Sequence, residues 1–467
     1  MAVRPASEAV FELSVPVVVI GAGACGLVAA LSVTEAGQGV LVLERDATPR
    51  GSTSLSAGLI PAAGTKLQRE RGIEDSPDLF AQDLAAKAHG ENDPAVVGAV
   101  ANISGSTIDW LVERHGLDLR LVEGFTYPGH SRLRMHGPPS QTGADLEAML
   151  LAAAGRAGID ILADASAEDL FADGDGRVVA VGFRRPDGSR ETVGCEAVVL
   201  ACNGFGGNPD LVRRLIPSMA EAEYCGHPSN TGDALRWGQA LGAESADLGS
   251  YQGHGSVPPP HGAPLTWAVI TLGGIQLNRD GHRFANEMRG YSEHAEEVLK
   301  QPGRFAWDIY DARCEAPALA FHDYREFVRL GAIKAAATVA ELASVTGIAA
   351  ETLSRSLGEV ENYAAGRAAD PFGRDFTGNP PLAPPYRAAK IAGALFHTQG
   401  GLAVDTEARV LCPDGTRLPN LFAGGGAARG LSGAAAWGYL SGNGLLSATM
   451  LGRIAGLAAA QLVGGGA

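Results

Sequence analysis

Three glycines near the N-terminus have the spacing of a phosphate-binding turn. Gly21, Gly23 and Gly26 follow an apolar, β-branched run at residues 15–20. Gly21 allows a tight turn, Gly23 lets the backbone approach a phosphate, and Gly26 lets the next helix pack closely on the strand. That helix offers free N–H groups and the positive end of its dipole. The glycine turn, which also contains Ala24, therefore predicts a site for the pyrophosphate of a dinucleotide.

An acidic residue follows at the distance that such sites use. A second apolar strand is predicted at residues 40–43 and ends at Glu44, 18 residues after Gly26. A carboxylate here accepts hydrogen bonds from ribose hydroxyls. Strand, glycine turn, helix, strand and acid in this order form a βαβ unit, which is a stronger signal than the glycines alone. We therefore predict a dinucleotide cofactor, with Glu44 at the adenosine ribose and Arg45 beside it.

Later segments favour a flavin over a nicotinamide cofactor. Residues 50–58 form a small, hydroxyl-rich loop that suits a flavin and its phosphates. A buried strand at residues 197–200 runs into a glycine-rich segment, and residues 418–426 repeat that arrangement. The last helix would direct its positive end at negative charge on a reduced flavin. We predict FAD, with contacts from Ser52, Thr53, Ser54, Gly58, Asn203, Gly204, Gly425, Asn443 and Leu445.

Six motifs occur in an order that resembles the succinate dehydrogenase/fumarate reductase flavoprotein superfamily. They are GAGACG at 21–26, NDP at 92–94, GFGGN at 204–208, TGD at 231–233, NRDGHRFANE at 278–287 and HTQGGLAVD at 397–405. The resemblance covers nearly the whole chain. It implies FAD as the cofactor, and it adds Asp233 and His397 to the candidate contacts.

The resemblance also implies an α/β fold in two domains. A discontinuous Rossmann-like FAD-binding domain would comprise residues 1–240 and 385–467. An α+β capping domain of residues 241–384 would be inserted between the two halves and carry substrate residues. A chain of 467 residues exceeds the roughly 250–300 at which one hydrophobic core stops growing, so two domains agree with its length.

Fumarate reductases hold a dicarboxylate with charged residues that this chain largely lacks. Alignment on the GHRF and HTQGG motifs keeps a pocket histidine and threonine, His254 and Thr266. The other positions are replaced: Trp267 for a glutamate, Ile270 for an arginine, Tyr291 for the proton-donating arginine, Phe396 for a histidine and Tyr439 for the carboxylate-binding arginine. Tyrosine and phenylalanine lack the bidentate fork of arginine. Reduction of an unsaturated carboxylate is therefore the alternative function.

The replacements resemble the ketone-dehydrogenating branch, which includes 3-ketosteroid dehydrogenases and oxocyclohexanecarboxylate desaturases. There a tyrosine hydroxyl, helped by a nearby hydroxyl, binds the ketone oxygen and stabilises the enolate, while a second tyrosine takes the α proton. Flavin N5 takes the β hydrogen as hydride. The resemblance implies Tyr439 and Ser441 at the oxygen and Tyr291 as the base. His254 or Arg289 would lower the tyrosine pKa from its usual value of ~10.

A basic segment at residues 127–136 has two interpretations. Arg132, Arg134 and His136 fall within it, and such a run usually forms a solvated turn. In the superfamily the segment approaches the substrate cleft, so Arg134 is a candidate partner for a substrate carboxylate. We group it with Trp267 and Phe396 as the predicted substrate pocket.

Several absences narrow the cofactor and partner predictions. The histidine to which succinate dehydrogenases attach their flavin is missing from residues 50–58, so we predict non-covalent FAD. The sequence has no second nucleotide fingerprint and no cysteine motif for a metal, an iron–sulfur cluster or a haem. Electrons must then pass to an external acceptor such as a quinone, a carrier protein or oxygen. A non-catalytic flavoprotein is a further alternative, which the tyrosine pair disfavours.

Charge and hydropathy limit the partners and the cellular location that we predict for the protein. The chain has 37 basic and 52 acidic residues, a net charge of −15, which makes nucleic acid an unsuitable partner. The longest apolar segment, residues 444–463, contains Arg453 and many small residues, so it predicts a buried helix rather than a membrane span. With scattered cysteines and no signal-peptide pattern, we expect a soluble, cytoplasmic enzyme with a small-molecule substrate.

Overall fold

The computed structural model describes residues 2–123 and 126–465. In these ranges the strands are, in chain order, β1 (Ala2–Pro5), β2 (Ser14–Ile20), β3 (Val40–Leu43), β4 (Ile60–Pro61), β5 (Arg120–Leu121), β6 (Met135–Gly137), β7 (Asp160–Leu162), β8 (Ser166–Ala172), β9 (Val178–Arg184), β10 (Arg190–Leu200), β11 (Glu223–Tyr224), β12 (Ser245–Ala246), β13 (Tyr251–Val257), β14 (Ile275–Asn278), β15 (Phe305–Asp311), β16 (Ile333–Ala336), β17 (Tyr386–Thr398), β18 (Gly401–Leu402), β19 (Arg409–Leu411) and β20 (Arg417–Ala423).

The α-helices of the same ranges are α1 (Ala24–Glu35), α2 (Lys66–Glu70), α3 (Pro77–Lys87), α4 (Pro94–Glu113), α5 (Gly143–Arg156), α6 (Pro209–Leu215), α7 (Asp233–Ala240), α8 (Ala268–Thr271), α9 (Tyr291–Leu299), α10 (Ala312–Ala318), α11 (His322–Arg329), α12 (Val339–Thr346), α13 (Ala350–Ala364) and α14 (Asn443–Gly464). Short 3₁₀ helices occupy Ala6–Glu8, Pro217–Met219, Glu287–Arg289, Pro302–Arg304, Gly425–Ala427 and Ala436–Gly438. The predicted α/β class is confirmed.

The chain divides into two units. Unit 1 comprises Met1–Ile216, Gly226–Tyr251 and His397–Ala467, and unit 2 comprises Pro217–Cys225 and Gln252–Phe396. Unit 1 contains the glycine fingerprint and the C-terminal helix. The assignment of a cofactor domain and a capping domain to residues 1–240 with 385–467 and to 241–384 stays a prediction.

A mixed nine-stranded sheet forms the centre of unit 1. Its order is β1-β8-β9-β10-β2-β3-β7, with β20 beside β10 and β19 beside β20. Strands β20, β10, β2, β3 and β7 are parallel. Val17, Val18 and Val19 of β2 are fully buried. β-Branched residues of this kind suit a strand that is covered on both faces.

Four of the parallel strands end at the same level of the sheet. The paired residues at their carboxyl ends are Ile20, Leu43, Leu200 and Ala423. The glycine turn, Glu44 and the glycine-rich segments after β10 and β20 therefore lie along one edge, which is where open α/β sheets bind ligands.

Helices α1, α4 and α14 pack together in unit 1, and α14 also covers the sheet. Both α4 and α14 are long and apolar enough to cross a membrane by length and composition, and 56% of the apolar stretch of each is buried. A core helix has the same properties. α14 is the buried helix predicted for residues 444–463.

A six-stranded sheet organises unit 2. Its order is β11-β17-β15-β14, with β13 and β16 also pairing with β17. Two apolar clusters lie around it, one built on Tyr310 and Tyr324 and the other on Leu342 and Leu353. β13 and α9 are joined near their starts, because the Gly253 N–H donates to Ser292 Oγ over 3.0 Å. This strand and this helix carry two of the predicted site residues.

Candidate functional site

The glycine turn lies between β2 and α1 and leaves no room for a side chain at its first and last glycines. Gly21 has a φ of 107°, and a β-carbon there would lie 2.6 Å from the Ala201 carbonyl oxygen. α1 begins at Ala24, whose N–H donates to Thr53 Oγ1 over 2.9 Å. The cap residue is Gly23, which has no side chain to cover the helix end. The start of α1 is therefore suited to phosphate.

Glu44 is held in place at the carboxyl end of β3 by two backbone N–H groups. Its Oε2 accepts from Ala22 over 2.8 Å and its Oε1 accepts from Asp46 over 3.0 Å. Each carboxylate oxygen has more than one lone pair, so both can accept a further hydrogen bond. The orientation suits a pair of ribose hydroxyls.

The hydroxyl-rich loop is joined to the segment after β10. Asn203 Nδ2 donates to Ser52 Oγ over 2.6 Å, and Asn230 Nδ2 donates to the same oxygen over 3.2 Å. The Gly204 N–H donates to Asn203 Oδ1 over 2.8 Å. The structure therefore brings Ser52, Asn203 and Gly204 together, next to the glycine turn. The other predicted contacts of this part of unit 1 are Ser54 and Gly58 before β4, Gly425 after β20, and Gly26 and Leu445 within helices.

Arg45 and Asp233, both predicted to contact the cofactor, bind each other. Arg45 Nη2 lies 3.1 Å from Asp233 Oδ2, and Arg45 Nη1 donates to the Ser229 carbonyl over 2.8 Å. The Asp233 carboxylate is 3% exposed and also binds Thr231 Oγ1 and Arg236. Because its oxygens are engaged inside the protein, we now expect Asp233 to position Arg45 rather than to contact a cofactor.

A buried carboxyl beside the same loop was missed by the sequence analysis. Glu147 on α5 is 3% exposed, and its Oε1 has no hydrogen-bond partner among the residues that the structure describes. Burial raises the pKa of this carboxyl to about 7; a hydrogen bond with Ser54 opposes the rise and the charge of Glu44 adds to it. Glu147 shares the buried face of α5 with Leu146 and Leu150, and an acid in that apolar stripe is the signal that could have revealed it.

A second group of predicted residues meets at the start of α14. The rings of His397 and Tyr439 lie edge to face with centroids 5.8 Å apart. Tyr439 and Ser441 are 6% and 5% exposed, and Asn443, the first residue of α14, is fully buried. A β-carbon on Gly444 would lie 2.7 Å from His397 Nε2, so the helix can begin this close to the imidazole only with glycine there. The helix dipole favours negative charge at this end.

Arg134, which the sequence predicts to bind a substrate carboxylate, is bound by two carboxylates of the protein. Its guanidinium is buried, binds Asp75 through two N–H groups at 2.7 and 2.9 Å, and binds Asp83 through a third. It also lies over the Phe80 ring, 4.6 Å from the centroid. The two carboxylates more than balance the charge of the guanidinium and take three of its five N–H donors. We therefore no longer expect Arg134 to bind a substrate carboxylate.

The rest of the basic segment supports the same turn of unit 1. His130 Nε2 donates to the Ser441 carbonyl over 2.9 Å, and burial lowers the pKa of His130 to about 4. His136 is buried and bound to Thr65 Oγ1 over 2.9 Å. Arg132 is exposed and donates to the backbone carbonyls of Glu74 and Ser131. His130 thus binds the Tyr439–Asn443 turn, and within residues 127–136, all of which the structure describes, the buried arginine is paired with carboxylates.

Four aromatic rings meet in unit 2 at predicted substrate positions. His254 stacks on Tyr291 with centroids 4.8 Å apart and an interplanar angle of 26°. His254 also contacts Trp267 at 5.7 Å and Phe396 at 6.2 Å, both edge to face. Trp267 and Tyr291 are 6.3 Å apart. We call His254, Trp267, Tyr291 and Phe396 the ring cluster.

His254 is neutral, so it cannot be the cationic neighbour proposed for a tyrosine base. Burial lowers the pKa of its imidazole to about 3. The Ser256 N–H donates to His254 Nδ1 over 3.1 Å, which leaves the ring proton on Nε2. Arg289, the other neighbour proposed, is exposed.

Two buried arginines of unit 2 have carboxylate partners. Arg283 binds Glu287 at 2.7 Å and also binds Asp370. Arg374 Nη1 lies 3.1 Å from Glu287 and donates to the Gly274 carbonyl over 2.9 Å. These pairs stabilise unit 2 and do not add positive charge to the ring cluster. Thr266 is half-buried, and its Oγ1 lies 3.4 Å from the Ala268 N–H.

Residues 16–445 match the family model described as an FAD binding domain. The chain belongs to this FAD-binding family. The family lies in the succinate dehydrogenase/fumarate reductase flavoprotein superfamily, as the motif resemblance predicts. Members of the superfamily related to this chain are oxidoreductases that act on CH–CH groups, and the chain is an FAD-dependent oxidoreductase of that type.

The FAD-binding family members similar to this chain include both reductases and dehydrogenases. A probable fumarate reductase of Shewanella frigidimarina is 30% identical over 95% of this chain and 74% of the relative. A 4-oxocyclohexanecarboxylate 2-dehydrogenase of Sinomonas cyclohexanicum is 28% identical over 94% of this chain and 93% of the relative. The structure of a 3-ketosteroid Δ4-(5α)-dehydrogenase from Rhodococcus jostii superposes with a TM-score of 0.79 at 25% identity, over 98% of this chain and all of that one.

Unit 1 fits the FAD that the family binds. The glycine turn, the start of α1, Glu44 and the Ser52 loop offer donors and acceptors suited to phosphates and sugar hydroxyls. In the part of the chain that the structure describes, Glu147 Oε1 and Asn443 Oδ1 are buried without a partner, as expected of groups that a ligand completes. The role of each individual site residue stays a prediction.

Proposed function

We propose that this oxidoreductase desaturates the α,β carbon–carbon bond of a cyclic ketone. The ring cluster is the observation that carries this proposal. It offers an apolar, uncharged surface at the positions where fumarate reductases carry charged residues. A saturated ring packs well against such a surface, since aromatic side chains bury a large apolar area.

The state of the charged residues supports a neutral ring over a dicarboxylate. Fixing two carboxylates normally takes arginine forks or protonated histidines. His254 is neutral, and Arg134, Arg283 and Arg374 are each bound to carboxylates of the protein. A dianion against the ring cluster would therefore lose its hydration, and none of these three arginines is free to compensate for that loss.

We assign the chemistry to two tyrosines. Tyr439 donates a hydrogen bond to the ketone oxygen, assisted by Ser441, and this bond strengthens as enolate charge develops. Tyr291 takes the α proton on its phenolic oxygen. Tyr291 is the first residue of α9, a nine-residue helix. The positive end of its dipole favours the phenolate and replaces the cation that His254 does not supply.

When bound, FAD would supply the acceptor for the β hydrogen, which leaves as a hydride and completes the loss of two hydrogens from the ketone. The enone product then leaves the site, and an external acceptor takes the two electrons. Non-covalent attachment of FAD, the identity of that acceptor and the cytoplasmic location stay predictions.

Reduction of an unsaturated carboxylate is the second candidate. The fumarate reductase relative and the presence of His254 and Thr266 favour it. One panel separates the two functions. Flavin bleaching is followed without oxygen after adding 4-oxocyclohexanecarboxylate, a 3-ketosteroid or succinate, and fumarate is tested with a reduced viologen. The proposal expects bleaching by a ketone; rapid fumarate turnover without ketone bleaching rejects it.

A further inference from the structure

Four polar side chains of unit 1, three of them buried and one half-buried, form a continuous hydrogen-bonded chain at the start of α14. Gln399 Nε2 donates to His397 Nδ1 over 3.1 Å, and Ser432 Oγ donates to Gln399 Oε1 over 3.0 Å. Asn443 Nδ2 donates to Ser432 Oγ over 3.1 Å. Gln399, Ser432 and Asn443 are at most 4% exposed. We call these four residues the polar chain.

The polar chain has a direction, because each of its members can donate and accept in only certain ways. The Ser432 hydroxyl has one proton, which goes to Gln399 and leaves its oxygen to accept from Asn443. The amide of Gln399 then directs its N–H at His397. Burial lowers the pKa of His397 to about 4, so the ring is neutral and carries a single proton. With Nδ1 accepting, that proton lies on Nε2.

The two ends of the polar chain are the imidazole of His397 and the amide oxygen of Asn443, and the Asn443 end is the one that lacks a partner among the described residues. His397 Nε2–H is a donor beside Tyr439, and Asn443 Oδ1 is buried. If the chain were reversed, His397 would present a lone pair at Nε2 and Asn443 would present an N–H. The two ends therefore cannot change polarity independently while Gln399 and Ser432 connect them.

We propose that Gln399 and Ser432 are positioning residues, which fix His397 as an Nε2–H donor to an oxygen that gains negative charge during the reaction. The oxygen belongs either to the bound cofactor or to the ketone substrate. An N–H donor at this position stabilises an enolate-type oxygen, whereas a nitrogen lone pair would repel that oxygen. The ketone arm of this inference rests on the proposed function, while the cofactor arm needs only FAD.

The direct test is the tautomer of His397, measured by ¹⁵N NMR on holoenzyme with labelled histidine. The chain has 11 histidines, and a His397→Gln spectrum assigns the signal. We expect the Nε2–H form in the parent protein. Gln399→Met removes the donor to Nδ1, and Nδ1 can then donate to the Thr398 carbonyl, which lies 3.4 Å away. A mixture of tautomers is expected in Gln399→Met and in Ser432→Ala.

Ser447→Ala is the matched control. Ser447 is 2% exposed, lies on α14 and donates to the Gly444 carbonyl, outside the polar chain. Its replacement should leave the His397 tautomer unchanged. Loss of stability in Gln399→Met and Ser432→Ala with an unchanged His397 tautomer would show that the polar chain only packs the protein, and would overturn the proposal.

Two further readouts identify the oxygen. If it belongs to the cofactor, Gln399→Met lowers the midpoint potential of bound FAD with no substrate present. If it belongs to the ketone, the potential is unchanged and the affinity for 4-nitrophenol, whose phenolate mimics an enolate, falls about tenfold or more. If the tautomer is altered but both the midpoint potential and the affinity for 4-nitrophenol are unchanged, the functional part of the proposal is wrong. If the protein does not desaturate ketones, the predicted His397 tautomer and the predicted change in the midpoint potential of FAD still stand.

Discussion

The imidazole of His254 stacks on the phenol of Tyr291, with 4.8 Å between ring centroids and 26° between ring planes. The pair looks like a histidine activating a tyrosine, yet His254 stays neutral because burial lowers its pKa to about 3. The contact therefore orients the phenol ring. Tyr291 is the first residue of α9, and we infer that the positive end of this helix favours its phenolate.

Replacing His254 with phenylalanine should keep the stacking and leave the pH dependence of flavin reduction nearly unchanged. A group with a pKa of about 3 in the folded protein stays neutral from pH 5 to 9, so its removal deletes no ionisation in that window. Stopped-flow rates across this range check the prediction. Loss of an inflection in His254→Phe would instead make the imidazole the titrating group.

Arg134→Met should destabilise the protein without a specific effect on substrate binding. It leaves Asp75 and Asp83 as uncompensated carboxylates in the interior, which costs about 3–5 kcal/mol. Chemical denaturation measures the loss. Arg132→Met, which removes an exposed arginine bound to backbone carbonyls, is the control and should be nearly neutral. A raised KM with unchanged stability in Arg134→Met would restore the substrate-binding role.

Glu147→Gln should stabilise the protein at high pH. The folded-state pKa of Glu147 is raised to about 7, so the folded protein holds this proton more tightly than the unfolded chain does. Stability is therefore lost as pH rises from about 4.5 to 7, and the glutamine variant avoids this loss. We expect a gain of about 1–2 kcal/mol at pH 8 and little at pH 5, after allowance for solvent screening. An equal Tm difference at both pH values would show that Glu147 does not titrate in this range.

Glu44→Ala should weaken retention of FAD. The loss of charged hydrogen bonds to the cofactor is worth about 1.5–3 kcal/mol, or roughly tenfold to a hundredfold in Kd. Asp46→Ala is the matched control, because this neighbouring carboxylate pairs with His227 instead. Fluorescence of released flavin during dialysis measures both variants. Equal retention in Glu44→Ala and the parent would mean that the fingerprint acid does not hold the cofactor.

The sequence predicted what depends on local pattern. The βαβ unit, the position of Glu44 and the buried C-terminal helix follow from apolar periodicity and glycine spacing over short stretches. The partners of Arg134 could not be predicted this way, because Asp75 and Asp83 are 59 and 51 residues away along the chain. Arg45 with Asp233, and Gln399 with Ser432, likewise pair only after the sheet has brought distant segments together. Burial also decided the charge of His254, which its residue type leaves open.

Exchange of the ketone's α hydrogen with solvent deuterium tests the central claim most directly, because it reports enolisation without hydride transfer. The parent enzyme should exchange this hydrogen in 4-oxocyclohexanecarboxylate or a related ketone. Tyr439→Phe should exchange it roughly 10²–10³ times more slowly, the scale of losing one oxyanion donor. Tyr291→Phe should show no exchange above the uncatalysed rate. Exchange at the parental rate in Tyr291→Phe would contradict the assignment of the base, and no exchange by the parent with any ketone that it binds would contradict ketone desaturation itself.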